Sequence, residues 1–183
     1  MIYKLSEAIS INAITSILDA EDEKMHGDAC SSIDHVGFPA EPTVEAVICF
    51  VNSEGRILSL INHLKTGGVI FTTSDIYEKY QKRILEKCAC VVCPNPRNTF
   101  AIAVEALTHN ESPYAVTKHV DLARTSHQNI SIGLNTVIEE CVTIKGNVHI
   151  GPNCSIGGIG FGFYIGRDGR KQRFPHFGKV IIE

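Results

Sequence analysis

Isoleucine recurs at Ile132, Ile138, Ile144, Ile150 and Ile156, one every six residues. Four positions after each of the first four stands a small or β-branched residue: Thr136, Val142, Val148 and Cys154. No other feature constrains the fold as strongly, because a fixed internal period defines an architecture. Six is a multiple of two, so all five isoleucines fall on one side of an extended chain, whereas 3.6 residues per turn would scatter them around a helix. A helical reading is excluded, and an ordinary antiparallel meander has no reason to keep six residues between equivalent positions.

Ahead of the repeats the rhythm is different. Apolar Ala46 to Val51 predicts a strand, and Ile57, Leu58, Leu60, Ile61 and Leu64 predict a helix that Gly67 and Gly68 terminate. A strand at 69–71, a helix over 74–86, a strand at 88–93 and a helix from Asn98 to Leu107 follow. Alternating strand and helix predict an α/β domain over residues 1–108 with at least part of its sheet parallel. Ile11, Ile14 and Leu18 behind Ser10 predict a short helix with a serine cap over 10–20. Residues 21–42, rich in charge, Gly, Ser and Pro, read as irregular connection. Residues 109–124 are polar and aperiodic and read as a linker, which leaves 125–183 for the repeats.

With 44% apolar and 20% charged residues the chain can fill a core and lacks the signature of disorder. Its net charge of −3 lacks the basic excess that nucleic-acid binding draws on, so nucleic acid is not an expected partner. No apolar run approaches the ~18 residues of a membrane span, and the N-terminus has no signal-peptide stretch. The expectation is a cytoplasmic protein whose seven cysteines are reduced thiols rather than a disulfide framework.

After the hexads come Gly157-Gly158-Ile159-Gly160-Phe161-Gly162-Phe163, a charged hairpin around Asp168-Gly169, and the return Pro175-His176-Phe177-Gly178-Lys179-Val180-Ile181-Ile182. The hexads resemble the hexapeptide-repeat, left-handed parallel β-helix, in which three hexads make one triangular coil. With the segments that follow, the chain resembles the UDP-3-O-(3-hydroxyacyl)glucosamine N-acyltransferases of lipid A synthesis and their sugar-nucleotide relatives. Cys49-Phe50-Val51-Asn52 and Asn95-Pro96 resemble that family's uridine-binding domain. The resemblance implies a homotrimer without a resident cofactor. It would transfer a 3-hydroxyacyl group from acyl carrier protein, or from acyl-CoA, to the amino group of a UDP-amino sugar.

Residue by residue, the resemblance assigns Asn52 to nucleotide binding. Cys49 and Gly55 stand where the family carries aromatic rings around the uracil, which leaves Phe50 as the ring that would have to take their place. Phe161 and Phe163 are implied near the substrate groove. The family's catalytic histidine belongs to a later coil, beyond residue 183. The expectation is therefore the N-terminal part of an N-acyltransferase, its β-helix incomplete at the C-terminal end, its catalytic base unknown and the chain inactive alone. Two alternatives stay open: acyl or acetyl transfer to another nucleotide amino sugar for surface polysaccharide, and a non-catalytic nucleotide-sugar-binding module.

Amide formation needs a base for the attacking amine, a role that suits histidine with its ordinary pKa of about 6.5. His149, just before Ile150, and His176 are candidates for it, and both read as surface or structural residues. Cys90 and Cys93 form C-x-x-C without a second pair, inside a run that reads as a buried strand, so no metal is expected. The glycines from Gly158 to Gly162 do not open a helix, as a dinucleotide fingerprint must. The basic run Arg167, Arg170, Lys171 and Arg173 is either a contact for an acidic carrier protein or a solvated hairpin tip.

Overall fold

A computed structural model describes residues 2–19, 21–27, 32–37, 46–64, 66–108, 129–178 and 180–183. The first elements are β1 (Ile2–Ser10), α1 (Ile11–Thr15), β2 (Lys24–His26), β3 (Ser32–Gly37), β4 (Val47–Phe50), α2 (Glu54–His63), β5 (Gly68–Thr72), α3 (Ser74–Leu85), β6 (Ala89–Val92) and α4 (Pro96–Leu107). They build one six-stranded sheet in the order β1-β3-β4-β5-β6-β2. Neighbours from β3 to β6 run parallel, and β1 and β2 close the two edges antiparallel. β5 is buried along its length, as an unbroken apolar run should be when both faces of a parallel strand are covered.

Strand alternation divides the core into two. Val69, Phe71, Ala89 and Val91 pack with Ile14 of α1 and with Phe100, Ala103 and Val104 of α4. On the other face Cys49, Ile70 and Cys90 pack with Ile57, Leu60 and Ile61 of α2 and with Ile76, Tyr77 and Ile84 of α3. α4 starts where local chemistry dictates: the Asn95 side chain accepts from the Asn98 backbone N–H at 3.2 Å, and Pro96 occupies the first turn.

The strand and helix pattern read from residues 46–107 is present, with shifted ends. The N-terminal reading needs correction. Residues 10–20 hold only the five-residue α1, and Ser10 makes no capping side-chain bond. β1, β2 and β3 were not anticipated, two of them inside the segment read as irregular. The linker read over 109–124 lies outside the described residues.

The isoleucine period is realised as short strands: β7 (Ile130–Ile132), β8 (Val137–Ile138), β9 (Val142–Ile144), β10 (Val148–Ile150) and β11 (Ser155–Ile156). β10 pairs in parallel with β7, Val148 opposite Ile130, and β11 with β8, Ser155 opposite Val137. The chain thus returns beside itself every 18 residues, or three hexads. Ile138 and Ile150 are buried, and Ile132, Ile144 and Ile156 half-buried. Asn135 and Asn153, also 18 apart, both take left-handed φ values of 60° and 58° and are joined by a 3.3 Å amide bond. Asparagine enters that region at less cost than most residues. Thr136 ties the same two levels together, donating to the Gly151 carbonyl at 2.7 Å and accepting from the Cys154 N–H at 3.2 Å.

The chain then leaves the repeats for an antiparallel hairpin of β12 (Phe163–Ile165) and β13 (Lys171–Arg173). It returns as β14 (Val180–Ile182), parallel to β9 with Val180 opposite Val142. With fourteen strands and four helices among the described residues the protein is β-rich. Contacts divide it into two units. One comprises Met1–Glu111 with Gly162–Phe177, the other Ser112–Phe161 with Gly178–Glu183. The hairpin, which follows the repeats in sequence and was read as part of their domain, packs with the α/β unit. Among the described residues no helix is long and apolar enough to cross a membrane.

Candidate functional site

In open α/β sheets ligands bind beyond the carboxyl ends of the parallel strands, where loops enter the following helices. In the α/β unit three such loops lie side by side: 51–53 after β4, Thr73 after β5 and 93–95 after β6. Asn52 is exposed in the first, and its carboxamide offers both a donor and an acceptor. Phe50, two residues earlier, turns its ring to the α4 face. There it lies 5.2 Å from Phe100 and 6.2 Å from Phe174, itself stacked on Phe100 at 6.1 Å. The aromatic side chain nearest Asn52 in sequence is thus held in a packed cluster.

α4 carries the docking groups for the hairpin. The Asn98 carboxamide donates to the Ile165 carbonyl at 2.8 Å and accepts from the Ile165 N–H at 2.9 Å, standing in for a neighbouring strand. Arg97 donates to the Phe163 carbonyl at 2.9 Å, with its guanidinium carbon 4.3 Å from the Phe174 ring centre. Buried Tyr164 joins its hydroxyl to the Glu105 carboxylate and the Gln172 carboxamide. Near the turn, Arg167 donates to Glu23 at 2.8 Å and to the Ile17 carbonyl at 2.6 Å, while Thr99 donates to the other Glu23 oxygen at 2.9 Å.

Two clefts follow from this docking. One of about 490 Å³ is walled by Ile17, Ile102, Ala106 and Tyr164. The other, about 270 Å³, lies at the N-terminus of α4 and is rimmed by Asp19, Asp22, Glu23, Asn95 and Arg167.

Phe163 is half-buried, with the Lys171 ammonium 4.6 Å and the Arg173 guanidinium 6.0 Å from its ring centre. Phe161 belongs to the repeat unit and is 87% exposed. His149 is exposed on β10, and His176 is exposed with its ring edge-on to Phe174 at 6.0 Å. Phe50 and Phe163 are thus linked through Phe174 and Arg97, Asn52 stands at the end of the strand that carries Phe50, and the two histidines lie elsewhere. Arg97, Asn98, Tyr164 and Phe174 were missed by sequence reasoning, since Arg97 and Asn98 meet partners 66 and 67 residues away. One local cue existed: Asn95 already caps α4, so the Asn98 carboxamide has no task in its own helix.

The C-x-x-C pair is divided between the two cores, Cys90 in one and Cys93 in the other, because residues three apart on a strand point to opposite faces. The two thiols therefore cannot close on one ion. Burial pushes the Cys88 thiol up to about 12 and raises Cys90 and Cys49 strongly. Cys93 rises to about 11, again by burial, against an opposing hydrogen bond from Thr99. All four are neutral in the fold at pH 7.

A raised thiol pKa contributes stability that is fully present below the unfolded value and is lost as pH climbs through the folded one. The thiols' contribution to stability should therefore be level up to about pH 8.5 and fall from there through the Cys93 and Cys88 values. Urea titrations at several alkaline pH values measure this, and a flat profile to pH 11 would contradict it. The same four thiols should resist a disulfide reagent at pH 7.5 until the protein is unfolded.

Comparison with protein-family models and with curated proteins gives no match for this chain.

Proposed function

We propose that the chain carries the nucleotide-sugar-binding domain and repeats of an N-acyltransferase, the repeats winding as a left-handed parallel β-helix. The acceptor is a UDP-amino sugar and the donor a carrier-protein or CoA thioester. The product amide is of the kind found in lipid A synthesis, and the working form is a cytoplasmic homotrimer. One observation carries the reading. An exposed asparagine stands at the carboxyl end of a parallel strand, in a chain that goes on to pair with itself in parallel every 18 residues. The carboxamide of Asn52 matches the paired donor and acceptor edge of uracil.

A second reading, transfer to a different nucleotide amino sugar, is favoured by Phe50. Its ring is engaged with Phe100 and Phe174, so Phe50 does not stand free to stack on a base.

Titration of the chain with UDP-N-acetylglucosamine tests the proposal. Asn52→Ala should weaken binding about tenfold, the loss of one or two hydrogen bonds of roughly 1 kcal/mol each. Equal affinity for both proteins removes Asn52 from the site. Binding by ADP- or GDP-sugars in preference moves the reading to the second acceptor.

A further inference from the structure

We draw no further inference here: the strongest candidate, the cleft of about 490 Å³ that Ile17 and the α4 residues Ile102 and Ala106 form with Tyr164 of the hairpin, is an apolar groove whose polar groups at Tyr164, Glu105 and Gln172 are engaged with one another, and nothing in the structure shows what covers it.

Discussion

Gly68→Ala is expected to destabilise the α/β unit by roughly 3 kcal/mol or more. Two independent terms add. Gly68 sits at φ +93°, where an L side chain is strained by about 1–2 kcal/mol. A Cβ there would also stand 2.2 Å from the Val47 carbonyl oxygen and 2.7 Å from the Val47 nitrogen. Those are backbone atoms of the adjacent strand, and Val47 is the register partner of Gly68, so relief requires β5 to move away from β4. Overpacking of this kind costs about 1–3 kcal/mol. Gly169 is the control: it has a similar φ of +75°, but a Cβ there meets nothing within 4 Å. Gly169→Ala should therefore show the strain term alone, about 1 kcal/mol. Urea unfolding of the two variants decides the matter, and equal losses would mean that the close approach to Val47 contributes nothing.

The second large effect is expected from Phe100→Ala. Phe100 is 4% exposed and meets Phe50, Phe71 and Phe174 at 5.2, 6.0 and 6.1 Å. Removing a buried phenylalanine ring costs about 3–5 kcal/mol in transfer and cavity terms. This position has a further consequence, because Phe174 reaches the core by stacking on Phe100. Its loss should loosen the hairpin root, so that amides from Phe163 to Arg173 exchange with solvent faster than in the parent. Phe100→Leu keeps more of the volume and should recover part of the stability. Unaltered exchange in the hairpin of Phe100→Ala would show that Asn98, Arg97 and Arg167 hold it without the aromatic stack.

What could be read from the sequence follows from where the determinants of each element lie. The strands and helices from β4 to α4 carry their own signal, unbroken apolar runs alternating with apolar residues at helical spacing. The repeats were legible because every hexad states the same inside and outside. β2 is different: Lys24, Met25 and His26 form a strand only because Val92, Val91 and Cys90 lie opposite, and nothing in the three residues announces it. In β1 the register shifts between Lys4 and Ile9, which breaks the alternation that would have revealed a strand. At the candidate site, Asn52 was named through the resemblance carried by Cys49-Phe50-Val51-Asn52, four residues adjacent in sequence. The hairpin contacts could not be named, since Asn98 and Ile165 meet across 67 residues by folding alone.

The α/β unit draws its last piece, Gly162–Phe177, from far along the chain, with the repeat unit written on both sides of it. During synthesis the sheet and its helices therefore emerge with Phe50 and Phe100 lacking Phe174, and stay so until the intervening repeats have been made. An apolar surface left open for that interval invites association with other nascent chains. The same interleaving bears on descent: an exchange of genetic material between residues 111 and 112 would transmit a unit without its closing aromatic. The two units are thus expected to be inherited together.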